Sequence, residues 1–481
     1  MKPFAVILLL LFISSCHVGP RYEGPSSDAP ADWKGSSMEA TDAAVENWWD
    51  IFCDEKLDEL ERLAIENNRN LYMALEKVAE ARAVAGVAKS TLYPQVYANP
   101  AFNNLNELIK LYGVPQSLFP GLKTISRVHE QSYLLPVTMS YEVDLWGKYR
   151  GTYNAATIYA QAKDEAVRVT LLTITTEVAS HYFNLRAVDT QIALLEQILN
   201  LRKELFSLIK SRYQSGLVSY LDYLDAEKIL ADTDAEYQES VRQRSVFENA
   251  LASLLGTIAS GFCLPPSPLL TPPPPIPSGI PSEMLMRRPD LAQAERAMAG
   301  FHELISVAYS TYFPSILLTS ALGFSSPDLS QFLNWTGRLW QIGIDIAQVI
   351  FNGGRNRSYV EAAYARFREA KAYYEQTVFT AFQEVEDALN NVEQSSLQFN
   401  ALQIASTSSQ RFSGLSELRN AKGLVNSLDT LSAQRAALDA ERTSMNALGR
   451  RYQAAIQLIK ALGGGWEGCS PYLGAPPSGD G

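Results

Sequence analysis

The sequence contains little of what most enzymes, metalloproteins and nucleic-acid-binding proteins need. Its 481 residues include only 4 Cys and 4 His, with no CxxC pair or His/Cys cluster, so neither a metal site nor a cofactor is indicated. Lys and Arg number 41 against 52 Asp and Glu, a net charge of −11. This argues against nucleic acid, because phosphate binding needs clustered positive charge. No GxxxxGK(S/T) loop for ATP and no Ser/His/Asp or paired-carboxylate arrangement stands out, so we do not expect an enzyme.

The N-terminus carries an export signal. One Lys precedes the apolar run Phe4–Phe12, which is shorter than the about 20 residues that span a bilayer and fits a secretory signal core of about 7–15 residues. The stretch Ile13–Cys16 resembles a bacterial lipoprotein cleavage box, which predicts a signal peptide over residues 1–15 and lipid, including palmitate, on Cys16. An ordinary signal peptide with an incidental Cys is the alternative. In lipoproteins of this kind an Asp after the cysteine favours the inner membrane, so His17 indicates the outer one.

One segment of the sequence occurs twice. SGLVSYLDYLDAEKIL begins at Ser215 and KGLVNSLDTLSAQRAAL begins at Lys422, with equivalent residues 207 positions apart. Two earlier segments, ending at Pro94 and Pro314, are similar at a separation of 220. The pattern predicts an internal duplication. The first copy has thirteen extra residues, which we place in the loop-like stretch Asn104–Gln131.

The duplication predicts the domain organisation. The first repeat covers residues 16–263, with an N-terminal segment, a helix, two strands and two long helices, and the second covers residues 283–464, with a helix, two strands and two long helices. A Pro-rich linker over residues 264–282 joins them, and residues 465–481 form a Gly-, Pro- and Ser-rich tail. We expect the linker to be an extended polyproline spacer, although Pro-rich segments also serve as recognition ligands.

Three cysteines, Cys53, Cys263 and Cys469, remain besides Cys16. An odd number in an exported chain cannot pair completely within that chain. Cys263 and Cys469 follow equivalent points of the two repeats, and the sequence leaves open whether they form a disulfide.

Four stretches rich in Ala, Leu, Glu, Gln and Arg predict long helices. These are Ala156–Tyr213, Ser219–Leu255, Tyr359–Asn420 and Ser427–Leu462. Globular helices usually run about 8–20 residues, so this length favours coiled helices. Gly216 and Gly423 lie between the helices of each pair, which predicts two helix–turn–helix tips.

Apolar residues alternate with more polar ones from Tyr133 to Val143, and the same phase recurs from Trp340 to Ile346. This period of two predicts strands, and the segments after Tyr93 and Phe313 supply one more each. A half-buried sheet of a soluble protein is one interpretation; strands of a membrane barrel are the other. Four strands cannot close into a barrel in lipid, and a barrel of eight strands has an interior filled by side chains. A conduit would therefore need at least three chains.

Six motifs carry a resemblance that covers nearly the whole chain. They are CHVGPRYEGP (Cys16–Pro25), WWDIFCDEKLDELERLAIENNRNL (Trp48–Leu71), RRPDLAQAE (Arg287–Glu295), IFNGGRNR (Ile350–Arg357), YEQTVFTAFQEVEDAL (Tyr374–Leu389) and ALGGGW (Ala461–Trp466). In this order, they resemble the TolC-like outer-membrane channels, in the lipoprotein branch that serves multidrug (RND-type) efflux systems. The resemblance implies a mainly α chain with membrane β: a homotrimer combining a twelve-stranded β-barrel in the outer membrane with an α-barrel of long helices in the periplasm.

The resemblance also implies a function. The chain would be the lipid-anchored outer-membrane channel of a tripartite pump, a passive exit duct for small molecules that an inner-membrane RND-type transporter delivers through a periplasmic adaptor. An exit duct for protein secretion is an alternative, although the lipidated N-terminus favours small-molecule efflux. A second alternative is a non-conducting coiled-coil lipoprotein, against which the strands in phase across the repeats argue.

In the family, the helical tips contact the adaptor, and here they contain Gly216, Leu217, Val218, Gly423, Leu424 and Val425. Apolar packing within each turn is the alternative role for these side chains. Asp429 matches the channel entrance, where three copies would form a ring of carboxylates. An Asp that only interacts with its helix dipole is the alternative, and the equivalent Asp222 supports it.

The second tip departs from the pattern of some family members. Those members have a Tyr three residues before the Gly, an Arg two residues after it and a second acidic residue further on. Asn420, Val425 and Ser432 stand at these positions, whereas the first copy keeps Tyr213, Asp222 and Asp225. Fewer polar links would then hold the entrance closed.

Overall fold

The computed structural model describes residues 18–25, 33–34, 47–110, 125–269, 271–276 and 287–464. The signal peptide, Cys16, Cys469 and the tail lie outside these ranges. The chain forms two compact units. The sheet unit comprises Met1–Gly24, Ala79–Gln161 and Arg296–Ala372, and the helical unit comprises Pro25–Val78, Ala162–Glu295 and Tyr373–Gly481.

The sheet unit contains an antiparallel sheet. Its strands are β1 (Gln95–Ala98), β2 (Ala101–Lys110), β3 (Ile125–Glu142), β4 (Ser315–Ser326) and β5 (Arg338–Ala347). The order is β1-β3-β4-β5, and β2 also pairs with β3. β1 and β2 pair with successive parts of β3 and form one strand interrupted near Pro100, which has no backbone N–H to donate. The four strands predicted per chain are therefore confirmed.

The loop predicted over Asn104–Gln131 is wrong at both of its ends. β2 and β3 pair continuously from Ala101 opposite Leu134 to Lys110 opposite Ile125. The Gly and Pro residues that suggested a loop lie within residues 111–124, outside the described ranges. The hydrogen bonds of an antiparallel ladder satisfy the backbone polar groups whatever the side chains are. The mixed polar sequence of β2 and of the first half of β3 therefore does not prevent strand formation.

The long helices preserve the duplication without insertion or deletion. In chain order, the described helices are α1 (Glu55–Asn67), α2 (Arg69–Ser90), α3 (Lys148–Gln214), α4 (Tyr220–Leu254), α5 (Pro289–Ser310), α6 (Arg355–Ala421) and α7 (Ser427–Ala461). α3 and α6 each have 67 residues, and α4 and α7 each have 35. None of these described helices is both long and apolar enough to cross a membrane.

α3 begins at Lys148, eight residues before the predicted start at Ala156. The Asp144 carboxylate accepts hydrogen bonds from the backbone N–H groups of Tyr149 (3.2 Å) and Arg150 (2.9 Å). This satisfies two of the N–H groups that a helix start leaves without partners. The cap supports the helix start although Gly147 and Gly151, residues of low helix propensity, lie at it.

The helical unit has a hydrophobic core to which several helices contribute. Its buried side chains include Leu57 and Leu60 of α1, Leu185 of α3, Leu251 of α4, Leu291 of α5, and Leu448 and Leu458 of α7. At its centre the rings of Phe183 and Tyr452 stack at 4.3 Å between centroids. Burying such leucines contributes about 1.5–3 kcal/mol each, so this core holds these helices together.

The first described part of the Pro-rich linker packs into this unit. Leu264 and Leu269 are buried, and Arg186 of α3 donates to the Pro265 carbonyl oxygen at 2.7 Å. Arg244 of α4 donates to the Leu264 carbonyl oxygen at 2.6 Å. The linker is thus held by hydrogen bonds to its backbone, a contact that proline content does not encode.

Two glycines in left-handed conformation offer a matched pair of substitutions. Gly256 has φ +66°, and a Cβ there would lie 2.5 Å from the Asn67 carbonyl oxygen, whereas Gly216, with φ +70°, has open space around it. Gly216→Ala should cost only the left-handed conformation, about 1–2 kcal/mol. Gly256→Ala should cost clearly more, because a backbone carbonyl cannot rotate away. Denaturant unfolding of both variants checks this, and equal losses would contradict it.

Candidate functional site: the two helical tips

The first tip reverses the chain between α3 and α4. Gly216 donates its N–H to the Tyr213 carbonyl oxygen and Leu217 donates to that of Arg212, both at 2.9 Å. This pair of bonds, with Gly at positive φ, is the Schellman end of a helix. α4 starts with a capping box in which Ser219 Oγ accepts from the Asp222 N–H and Asp222 Oδ2 accepts from the Ser219 N–H. The turn is therefore closed on both sides by local hydrogen bonds.

The second tip repeats this backbone. Gly423 has φ +68° and donates to the Asn420 carbonyl oxygen at 2.8 Å, and Leu424 donates to that of Arg419 at 2.9 Å. The cap of α7 differs, because Asn426 Oδ1 accepts from the Leu428 N–H at 3.3 Å. Since φ near +70° is readily adopted only by glycine, both reversals depend on their glycines.

The two equivalent aspartates have different surroundings. Hydrogen bonds from the Ser219 side chain and backbone occupy the Asp222 carboxylate and lower its pKa. Asp429 lies in the first turn of α7, exposed, and no group within the described residues donates to its carboxylate. The capping role of Asp222 therefore does not carry over to Asp429.

The tip side chains named in the sequence split into two groups. Leu217 and Leu424 are exposed at 74% and 64%, whereas Val218 and Val425 are half-buried. The partial burial of the valines fits packing within each turn, and the roles of all six tip residues stay predictions. The two leucines point away from the turn, where a partner can contact them.

Polar contacts that sequence reasoning missed connect the two tips. Arg212, in the last turn of α3, donates from Nη2 to Asn426 Oδ1 at 3.3 Å. Further along the helices, Arg442 of α7 forms an ion pair with Glu236 of α4. The partners are 214 and 206 residues apart, so no local pattern could pair them. The first contact joins the two tips, and the second joins α4 to α7 several turns away from them, so both link the two repeats within one chain.

Cys53 and Cys263 carry exposed free thiols. Across the described ranges, no group of three His, Cys, Asp or Glu side chains is placed to hold a metal ion. The chemistry available at the tips is therefore that of apolar contact, hydrogen bonding and charge, which suits recognition and ion selection.

The sequence matches a known protein family and is similar to several characterised proteins. The sequence profile described as "Outer membrane efflux protein" matches residues 60–257 and 280–464. The chain is 31% identical over 468 residues to outer membrane protein OprJ of Pseudomonas aeruginosa, covering 96% of each. It is 28% identical over 475 residues to the cation efflux system protein CusC of Escherichia coli O6:H1, covering 97% of this chain and 99% of that one.

A solved structure agrees with these relatives. The crystal structure of the Campylobacter jejuni CmeC outer membrane channel superposes with a TM-score of 0.83 at 26% identity, covering 94% of this chain and 96% of that one. The fold class and the outer-membrane location predicted from the motifs are thus confirmed. The chain belongs to the outer membrane efflux protein family, whose TolC-like members form the outer-membrane channels of tripartite efflux pumps.

Proposed function

We propose that the chain acts as a homotrimer, a passive exit duct for small molecules delivered by an inner-membrane RND-type transporter through a periplasmic adaptor that contacts the tips. The observation that carries this proposal is the four-strand sheet with two edges. In the order β1-β3-β4-β5, β5 at one edge and β1 with β2 at the other lack a second partner among the described strands. Three copies joined edge to edge give twelve strands, enough for a lumen.

The surface of β5 supports a membrane setting for this sheet. Trp340, Ile342, Ile344 and Ile346 alternate along the strand and are each 67–76% exposed. A row of exposed apolar side chains is costly in water and favourable against lipid. The sheet therefore fits a channel wall, with lipid attached at Cys16 as a second anchor.

The entrance is assigned to Asp429. Three copies around one axis would bring three unpaired carboxylates together, which attracts cations and repels each carboxylate from the others. Because the cap of α7 is supplied by Asn426, the Asp429 carboxylate is available for this role. The ring would make the resting duct narrow and cation-selective.

Single-channel conductance in planar bilayers tests both assignments. Wild-type protein should show small, cation-selective openings, and Asp429→Asn should enlarge them and weaken the cation preference. Asp222→Asn is the matched control, since its carboxylate belongs to a cap, and it should leave selectivity unchanged. If Asp429→Asn conducts like wild type, the ring assignment is wrong; if folded wild-type oligomer never conducts, the duct itself is wrong.

A further inference from the structure

We propose that the contact between the two repeats contains a binding site for a small oxyanion of the size of phosphate. The site is the arginine seam, which we define as Arg202 of α3 and Arg435 and Arg442 of α7, with the carboxylates Glu236 of α4 and Asp439 of α7. It lies within the helical unit, about 10–25 Å along the helices from the two turns. The inference goes beyond the duct proposed above and does not depend on it.

Positive charge exceeds negative charge in the arginine seam. Arg442 pairs with Glu236, and Asp439 lies 3.7 Å from Arg435 and 4.0 Å from Arg442. Arg202 adds a third guanidinium group, and the carboxylates that act on it are these same two. Burial and then the charge of Arg435 lower the pKa of Arg202, as expected where positive charges converge. The seam therefore has room for one more negative charge.

Two buried guanidinium donors of the arginine seam have no acceptor. Nε of Arg202 and Nε of Arg435 make no hydrogen bond within the described residues, since the 3.7 Å from Arg435 Nε to Asp439 Oδ2 is too long for one. Arg202 donates only a long bond, from Nη1 to the Ile229 carbonyl oxygen at 3.4 Å. Unpaired buried donors are unfavourable, so an anion that brings acceptor oxygens to this place would stabilise the packing of the two repeats.

The donors indicate the class of anion. Guanidinium groups donate in a planar fork that matches the oxygens of phosphate and carboxylate groups. A phosphate ion has four oxygens and can accept from α3 and α7 at once, whereas a monocarboxylate such as acetate has only two. The side chains of Arg435 and Arg442 are 38% and 25% exposed, so a small ion can reach them from solvent. The geometry therefore favours a small anion with several oxygens.

The duplication shows that the arginine seam is not part of the repeated framework. At the positions 207 residues away in the other repeat, its three arginines are replaced by Ser409, Lys228 and Ala235. Lys228 is exposed and already paired with Asp232 at 2.7 Å. The helices nevertheless have the same lengths in both repeats. Helix formation thus does not need these arginines, and their convergence needs another explanation.

Phosphate binding to the full-length oligomer in detergent tests the site. Phosphate should raise the apparent unfolding temperature saturably, beyond the effect of chloride at equal ionic strength. Arg202→Gln and Arg435→Gln should each raise the Kd for phosphate, measured by isothermal titration calorimetry, at least about tenfold, because each removes a charge-assisted hydrogen bond. Lys228→Gln, the matched change in the other repeat, should keep the Kd within about threefold of wild type.

Stability in chloride separates a binding role from a purely structural one. Without phosphate, Arg202→Gln should unfold at no lower a temperature than wild type, because it removes a surplus positive charge. A variant that is less stable in chloride, yet responds to phosphate as wild type does, would show that Arg202 only packs between the helices.

The remaining outcomes decide the ligand. Sulfate should replace phosphate, and acetate should bind at least about tenfold more weakly, because it offers fewer acceptor oxygens. Equal affinity for acetate would overturn the assignment to phosphate-like anions. The site itself is wrong if phosphate has no saturable effect on wild type, or if Lys228→Gln weakens binding as much as the two arginine variants do.

Discussion

Asp189→Ala is expected to lower the free energy of unfolding by about 3–5 kcal/mol, the usual loss when one partner of a buried ion pair is removed. The Asp189 side chain is 1% exposed. It accepts from Arg244 Nε at 2.7 Å and from Arg186 Nη1 at 3.3 Å, and from the Ser267 N–H of the linker at 3.0 Å. Without it, two guanidinium groups lose a buried anionic partner and the linker loses a hydrogen bond.

The control for this prediction is an exposed ion pair on α4, the helix that also carries Arg244. Asp232 and Lys228 of α4 lie 2.7 Å apart with side chains 61% and 70% exposed. Asp232→Ala should therefore have little effect, because water and salt screen such pairs. Thermal and denaturant unfolding of both variants makes the comparison, and similar small losses for the two would show that the Asp189 network does not hold the linker.

The second repeat lacks this network, and the difference between the two repeats indicates what the network does. Ser396 and Ala455 stand where the first repeat has Asp189 and Glu248. In the first repeat, Glu248 accepts from the Leu264 N–H at 2.7 Å and from Arg244 at 3.3 Å. The ionic clamp is thus present only in the repeat that the linker follows, as expected if its role is to fasten that linker.

Glu61→Gln is expected to raise the stability of the protein at pH 8 and to flatten its dependence on pH. Glu61 of α1 is completely buried, and its carboxylate oxygens make no hydrogen bond of ordinary geometry within the described residues, with only a minor interaction with the Ala179 backbone. Burial, and then the negative charge of Asp58, raise its pKa well above the ordinary 4.5. The carboxyl group therefore stays protonated to a higher pH in the folded state than in the unfolded chain.

The direction in which stability changes with pH follows from proton binding. Between pH 4.5 and the raised pKa, the folded state binds one more proton than the unfolded state, so stability falls as pH rises, by up to about 1.4 kcal/mol per pH unit. Gln removes this pH-dependent contribution to the free energy of unfolding. The difference in stability between Glu61→Gln and wild type should vanish near pH 4.5. The measurement is the apparent unfolding temperature across pH 4.5–8.

Glu59 provides the control two residues away. It is partly exposed and lies 2.7 Å from Lys56, and the hydrogen bond from Lys56 lowers its pKa. Glu59→Gln should therefore bring no gain in stability at pH 8. A parallel pH dependence for wild type and Glu61→Gln would mean that the Glu61 carboxyl group ionises in the folded protein without cost.

Local and periodic features of this protein could be predicted from its sequence. The 207-residue repeat, the two glycine reversals, the long helices and the alternating strands each depend on residues close in the chain, and the structure contains all of them. The burial of Glu61 also had a local signal. With Leu57, Leu60 and Ala64 at spacings of three and four, it lies on the apolar face of α1, where a carboxyl group predicts a raised pKa.

Only the tertiary structure decided which distant groups meet. The contact of Arg212 with Asn426 and the binding of the linker by Asp189, Arg186 and Arg244 join residues that no period relates. The different environments of Asp222 and Asp429 depend on which residue caps each helix. The sequence determined the elements, because backbone hydrogen bonding and side-chain periodicity act over a few residues. The pairing of charges and the burial of the linker required the packed chain, because those energies exist only once distant segments exclude water together.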